Sequence, residues 1–220
     1  MFIPTKDGSF TIEHPLYKVN YHSIHGAYQE SNHVFIHAAL DYFILNNKHK
    51  TINIFEMGFG TGFNALLTYK YASENKITIN YDSIDNFPLE NFDSQSYIEP
   101  LRELNSYSTI FNMMHHAKWG IECSIVDYFK LTKYNQSIIN FSAIKKYDVI
   151  YFDAFAPTAQ PELWSLDIMS KMYDMLNNGG ILTTYCAQGQ LKRNLKQAGF
   201  IVESIPGPLY KREMTRAIKL

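Results

Sequence analysis

The sequence predicts an α/β fold with a mostly parallel sheet, and three observations carry that prediction. From Thr51 onward, short apolar or β-branched runs alternate with helical stretches. One run, Tyr147–Phe152 (YDVIYF), is nearly continuous in apolar residues, as expected of a central parallel strand covered on both faces. The chain closes differently. Phe200–Ile205, the turn Pro206-Gly207-Pro208 and then Glu213–Lys219 read as two strands joined by a short turn, which places one antiparallel strand on the sheet.

The elements follow in order. Residues 1–50 carry five of the eight histidines before residue 40 and end in a helix expected from about Asn32 to Asn46. Thr51–Phe55 is a strand that runs into a glycine-rich turn, and Asn64–Glu74 is a helix. Ile77–Ile84 is the second strand, and Pro88 to Ser108 reads as broken helical pieces. Glu122–Val126 is taken as the third strand and Tyr147–Phe152 as the fourth. Pro161–Leu176 is a helix stopped by Asn177-Asn178-Gly179-Gly180. Ile181–Tyr185 is a strand and Gly189–Ala198 a helix before the terminal pair.

Composition narrows the class. A chain of 220 residues with 46% hydrophobic and 19% charged residues can bury a substantial core and is not disordered by composition. The 20 basic and 21 acidic residues leave a formal charge of −1, which argues against a generic nucleic-acid coat. The two cysteines, Cys123 and Cys186, form no CxxC, so a disulfide scaffold and a cysteine zinc site are not expected. The N-terminus has no charged segment followed by an apolar one, and no run of 18 apolar residues occurs. A reducing cytoplasmic setting, with no membrane partner, is the expectation.

Three motifs carry chemistry. Glu56-Met57-Gly58-Phe59-Gly60-Thr61-Gly62 lies between a strand and a helix. Its alternate glycines let the backbone approach a ligand, and the helix end offers free N–H groups. The G-x-G-x-G spacing, led by an acid, suits a nucleoside with a cationic end better than a pyrophosphate. Asp85 ends the next strand, 23 residues after Gly62, where a carboxylate can accept ribose hydroxyls. Asp127, after the third expected strand, is either an adenine contact or a solvated turn residue. Asp153, in Asp153-Ala154-Phe155-Ala156-Pro157, follows the most buried strand and is expected in the same crevice. Pro157, Pro161 and Trp164 would give that crevice a rigid, partly aromatic lip.

Taken together, these residues resemble a class I S-adenosylmethionine-dependent methyltransferase. Glu56–Gly62 (EMGFGTG), Phe152–Trp164 (FDAFAPTAQPELW), Gly179–Tyr185 (GGILTTY), Ala198-Gly199-Phe200 and Lys211-Arg212-Glu213-Met214 after Gly207 are similar to the MnmC methyltransferase-domain family, in some bacteria a separate protein, MnmD. Tyr21–Ile36, around Glu30-Ser31, fits as well. Phe63 departs from the pattern, where a Leu is expected. The resemblance implies a doubly wound, Rossmann-like α/β fold with a seven-stranded mixed sheet in the order 3-2-1-4-5-7-6 and a C-terminal antiparallel hairpin strand. Residues 1–50 would form a cap on the substrate side and 51–220 the methyltransferase domain. The implied cofactor is S-adenosyl-L-methionine, bound by Glu30, Ser31, Glu56, Gly58, Gly60, Thr61, Gly62, Asn64, Asp85, Asp127 and Asp153.

The resemblance also implies the reaction, methylation of the 5-aminomethyl group of (2-thio)uridine at the tRNA wobble position. Asp153 is the expected catalytic residue, as orienting group or base. An alkylammonium near pKa ~10 has no lone pair until it loses a proton, and a carboxylate of ordinary pKa accepts that proton poorly. The flavin-dependent oxidase part of bifunctional MnmC is absent from this sequence, so a separate enzyme is expected to supply the aminomethyl substrate. Two rivals share features of the sequence, namely an aminopropyltransferase of the spermidine-synthase type and a catalytically silent RNA-binding module.

The tRNA anticodon region needs a docking surface. Residues 186–220 hold seven basic residues against Glu203 and Glu213, a net +5, which leaves −6 on the other 185 residues. Lys211 and Arg212 are expected on phosphates, and Phe155 and Trp164 on an anticodon base. The histidines lack a third ligand and a zinc-site context, so no metal is expected.

Overall fold

The computed structural model describes residues 1–220. A two-stranded hairpin, β1 (Ile3–Pro4) and β2 (Phe10–Thr11), opens the chain. The main sheet has eight strands: β3 (Thr51–Met57), β4 (Thr78–Asp85), β5 (Cys123–Val126), β6 (Phe129–Asn135), β7 (Tyr147–Phe152), β8 (Leu176–Thr184), β9 (Ile201–Pro206) and β10 (Glu213–Ile218). Their order is β5-β6-β4-β3-β7-β8-β10-β9. β6, β4, β3, β7 and β8 pair in parallel. β10 is antiparallel to both β8 and β9, which confirms the expected terminal hairpin.

The expected seven-stranded sheet becomes eight. Without β5, the order is the expected 3-2-1-4-5-7-6. The extra strand is β5, and it displaces the expected third strand. Residues 122–126 do not form the third parallel strand; β5 is an antiparallel edge strand paired with β6. The parallel strand is β6 (FKLTKYN), whose alternation is obscured by Lys133, a lysine that is itself buried. Asn177-Asn178-Gly179-Gly180 is likewise not a turn outside the sheet. These residues lie within β8, where its register against β7 shifts.

Strand alternation sorts the core into two layers. On β3, Ile52 and Ile54 face one cluster, while Phe55 and Met57 face the other. On β7, Val149 and Tyr151 oppose Ile150 and Phe152 in the same way. The first layer is covered by the helix at residues 27–46 and by helix Phe63–Asn75. The second is covered by helices Leu166–Met175 and Gly189–Gln197. Fully burying each large apolar side chain contributes about 1.5–3 kcal/mol, so both layers are needed to hold the central strands.

The helix at residues 27–46 is built from an α turn, a π-wound stretch Asn32–Asp41 and a final α turn. Its first N–H groups are capped from the opening hairpin. Ser9 Oγ accepts from Ala27 N at 3.1 Å and Tyr28 N at 3.2 Å, and Asp7 Oδ2 accepts from Gln29 N at 2.9 Å. Val34, Phe35, Ala39 and Leu40 are buried in the first layer. This helix therefore covers the sheet. Within the first 50 residues, it is the segment before the helix that reaches the carboxyl ends of the parallel strands.

Candidate active site

A crevice opens at those carboxyl ends, beside β3 and β7, where the connections on either side of the sheet diverge. It encloses about 870 Å³, solvent at its mouth included.

The glycine turn forms its floor. Gly58 N donates to Ile84 O at 2.9 Å, drawing the turn toward the end of β4. Gly58 has φ +93°, and a Cβ there would stand 3.1 Å from the Asp153 carbonyl oxygen. Gly60 has φ +50°, and a Cβ there would fall 2.9 Å from Tyr21 Cδ1. Both positions combine a left-handed backbone with close packing, so only glycine fits without displacement. Asp85 fixes the turn from β4. Its Oδ2 accepts from Gly60 N at 2.8 Å and its Oδ1 from Phe87 N at 2.8 Å. Burial raises the Asp85 pKa, and these bonds oppose that shift.

A brace lies under the turn. His115 Nε2 donates to the Thr61 carbonyl at 3.0 Å, which fixes the proton on that nitrogen. Lys133 Nζ donates to the His115 carbonyl at 2.8 Å and sits 5.0 Å from the Phe59 ring centre and 4.7 Å from that of Trp119. Burial pushes His115 down to about 4 and Lys133 down to about 8.

Asp153 stands at the end of β7. Its backbone N donates to Met57 O at 3.1 Å, and its Oδ2 accepts from Asn64 Nδ2 at 2.8 Å. Desolvation pushes its pKa up to about 7, with the Asn64 bond opposing. One layer beneath lies Glu56, fully buried, with Oε2 accepting from Ser83 Oγ at 2.7 Å. Burial, with the nearby Asp153 charge adding to it, pushes Glu56 up to about 8.

An aromatic wall closes the outer side. Phe155 meets His14 at 5.1 Å, Tyr17 at 5.6 Å and Tyr21 at 5.1 Å between ring centres. Phe87 joins them through His14 at 6.1 Å and Tyr17 at 6.0 Å. These contacts bring the opening segment against the loop after β7.

Gly58, Gly60, Thr61, Asn64, Asp85, Asp153 and Phe155 line one crevice, as expected from their sequence positions. The other expected residues do not line it. Glu56 lies behind the turn, and Gly62 ends it, as the residue before helix Phe63–Asn75. Asp127 is exposed in the β5–β6 turn, at the N-terminal end of β6 and so at the opposite edge of the sheet. The residues that follow the true third strand into the crevice are Gln136 and Ser137. Trp164 is buried, donating from Nε1 to Phe155 O at 2.8 Å, so it supports the lip instead of offering a free stacking face. Pro157 lies outside the lining, and Ser31 is buried in the helix. Glu30 Oε1 pairs with Lys211 Nζ, while Glu30 Oε2 accepts from Ser23 N at 2.9 Å. Lys211 thus serves an internal ion pair, and its Nζ stands 4.2 Å from the Tyr185 ring centre.

The basic tail is correspondingly quieter than its +5 suggests. Lys192 pairs with Glu213 and Arg216 with Glu203, while Lys219 Nζ donates to Tyr173 O and Leu176 O. Arg193, Lys196 and Arg212 remain exposed.

The residues present fit S-adenosyl-L-methionine. The buried Asn64 Oδ1 and Thr61 Oγ1, both on crevice-lining residues, have no protein partner, as acceptors waiting for a ligand donor would. Asp85 and the glycine turn offer the nucleoside side of such a ligand carboxylate and backbone groups.

Comparisons with known proteins agree. A family model described as S-adenosyl-L-methionine-dependent methyltransferase matches residues 117–220. The tRNA 5-methylaminomethyl-2-thiouridine biosynthesis bifunctional protein MnmC of Leptospira borgpetersenii serovar Hardjo-bovis (strain JB197) is 27% identical over 206 residues, covering 88% of this chain and 31% of the relative. The MnmC of Idiomarina loihiensis is 28% identical over 210 residues, covering 88% of this chain and 34% of the relative. The chain therefore spans about a third of these relatives' length. The crystal structure of MNMC2 from Aquifex aeolicus superposes with a TM-score of 0.81 at 26% identity, covering 99% of this chain and 69% of that one. Streptomyces venezuelae DesVI, at 9% identity and a TM-score of 0.52, shares the fold.

The fold, the glycine turn and these matches make the chain similar to S-adenosyl-L-methionine-dependent methyltransferases of the class I fold. Within that class, the chain's similarity runs to the methyltransferase portion of MnmC.

Proposed function

We propose that this methyltransferase acts on tRNA, methylating the primary amine of 5-aminomethyl-(2-thio)uridine at the wobble position to give 5-methylaminomethyl-(2-thio)uridine. The observation that carries this reading is the place of Asp153. It is a carboxylate held by Asn64 at the strand end, in the same crevice as the glycine turn and the Asp85 pocket. The MnmC relatives supply the substrate class.

When bound, S-adenosyl-L-methionine supplies an electrophilic methyl group on a cationic sulfonium. Gly58, Gly60, Thr61, Asn64 and Asp85 would hold it. Asp153 binds and orients the substrate amine by a charge-assisted hydrogen bond. A pKa near 7 makes it a far better proton acceptor than an ordinary carboxylate, so the proton lost from the ammonium moves to an Asp153 carboxylate oxygen. His14, Tyr17, Tyr21 and Phe155 exclude water from the outer side. The opening segment acts as the cap, and the sheet domain carries the chemistry.

We place the protein in the cytoplasm, where tRNA is modified. No helix is long and apolar enough to cross a membrane. Labelled S-adenosyl-L-methionine incubated with tRNA lacking this methyl, followed by nucleoside analysis, tests the reading. Label in the methylaminomethyl nucleoside supports it, and label in other nucleosides only, or in none, refutes it.

A further inference from the structure

We propose that Lys171 is a positioning residue for the cofactor, acting through the crevice wall at residues 136–139. The connection between β6 and β7 has no regular structure of its own, yet four consecutive residues, Gln136, Ser137, Ile138 and Ile139, line the crevice. Its internal hydrogen bonds are few, and two of the three are longer than usual. Asn140 N reaches Ser137 O at 3.1 Å, Phe141 N reaches Ile138 O at 3.3 Å, and Ile139 N reaches Ser137 Oγ at 3.3 Å. Those bonds alone hold a wall poorly.

Lys171 supplies the missing restraint. From helix Leu166–Met175, its Nζ donates to Ile138 O at 2.8 Å, Ile139 O at 2.8 Å and Phe141 O at 2.9 Å. An ammonium has three donors and no acceptor, and here each donor has its own carbonyl. No carboxylate competes for it within ion-pair distance. The helix is itself anchored in the second core layer by Ile168, Met169, Met172 and Met175. Two apolar side chains of the loop complete the attachment. Ile138 is buried, and the buried Phe141 packs on Phe55 at 5.4 Å and Tyr134 at 5.0 Å. The wall is thus pulled onto a rigid helix by one cation, while its other side faces the crevice. Lysine suits this task, since the planar guanidinium fork of arginine does not converge on three carbonyls from one point.

The test uses Lys171→Met, which keeps the stem and removes the donors, and Lys171→Arg, which keeps the charge. Calorimetry with S-adenosylhomocysteine should show Kd raised about tenfold in Lys171→Met and at least several-fold in Lys171→Arg, both roughly a kcal/mol effect on the wall. In turnover, KM for S-adenosyl-L-methionine should rise similarly while kcat at saturation stays within about twofold. A purely structural role would lower the unfolding midpoint without that split. A folded Lys171→Met protein with wild-type Kd overturns the proposal, as does a loss confined to kcat. Should Lys171→Met fail to fold, the same two criteria are read on Lys171→Arg, where wild-type Kd overturns it.

Discussion

Asn64 Nδ2 lies 2.8 Å from Asp153 Oδ2, and this bond ties the first turn of helix Phe63–Asn75 to the end of β7. It joins the second residue after the glycine turn to a carboxylate that lines the crevice. Asn64 keeps its other polar atom, Oδ1, unpartnered and buried at the same crevice. One side chain therefore restrains the Asp153 carboxylate from the helix that follows the glycine turn.

Replacing Asp153 should separate chemistry from cofactor binding. Asp153→Asn and Asp153→Ala are expected to lose about 10²–10⁴ in kcat, the usual contribution of a positioned acid–base group. Affinity for S-adenosylhomocysteine should change only a few-fold, because the glycine turn and Asp85 remain. Asn64→Ala should lower kcat by about tenfold, since it leaves the carboxylate present but unrestrained, and should also weaken cofactor binding. Single-turnover kinetics with calorimetry distinguish these outcomes.

The elevated Asp153 pKa makes both rate and stability depend on pH. Turnover needs the ionised carboxylate, so kcat should rise with pH through about 7. Stability runs the other way. The unfolded chain releases this proton near ~3.9, whereas the folded protein keeps it to about 7, so the native state binds more protons between those values. Stability therefore falls as pH rises across that window and does not fall further on this account above it. Asp153→Asn removes this contribution. Its denaturation midpoint relative to wild type should be higher at pH 8 than at pH 4. A midpoint difference that is the same at both pH values would contradict this reading.

The Glu30–Lys211 ion pair joins segments 181 positions apart in sequence. Glu30 is nearly buried, and Lys211 is half-exposed. Lys211→Met strands the carboxylate and should cost on the order of 2 kcal/mol, below the fully buried range because water reaches the lysine. Glu30→Gln with Lys211→Met should recover most of that loss. Recovery in chemical denaturation marks a mutual pair, whereas additive losses would mean the two residues act separately.

Gly60→Ala offers a check on the turn. The new Cβ meets the Tyr21 ring at 2.9 Å on a backbone with φ +50°. Affinity for S-adenosylhomocysteine should fall more than about tenfold through strain at the turn. Gly60→Ala combined with Tyr21→Ala should recover part of it, because one of the two penalties is then removed.

Much of this arrangement was legible in the sequence. Uninterrupted apolar strands and a glycine turn report their own positions, which is why β3, β7 and the Gly58–Asp85–Asp153 grouping follow from pattern alone. The failures have physical causes. A buried lysine, Lys133, breaks the apolar alternation of β6, so the pattern favours the edge strand β5 and puts Asp127 at the wrong end of the sheet. Local charge counts do not show partners distant in sequence, so nothing in the pattern around Lys211 reports its pairing with Glu30. The wall of His14, Tyr17 and Tyr21 gives no periodic signal, because an irregular segment places it.

The most direct test of the central claim compares wild-type and Asp153→Asn protein on tRNA carrying 5-aminomethyluridine, with labelled S-adenosyl-L-methionine and nucleoside analysis. The account predicts labelled 5-methylaminomethyluridine from the wild type, and almost none from a variant that still binds S-adenosylhomocysteine. Wild-type yield from Asp153→Asn, or no labelled product from the wild type, would contradict it.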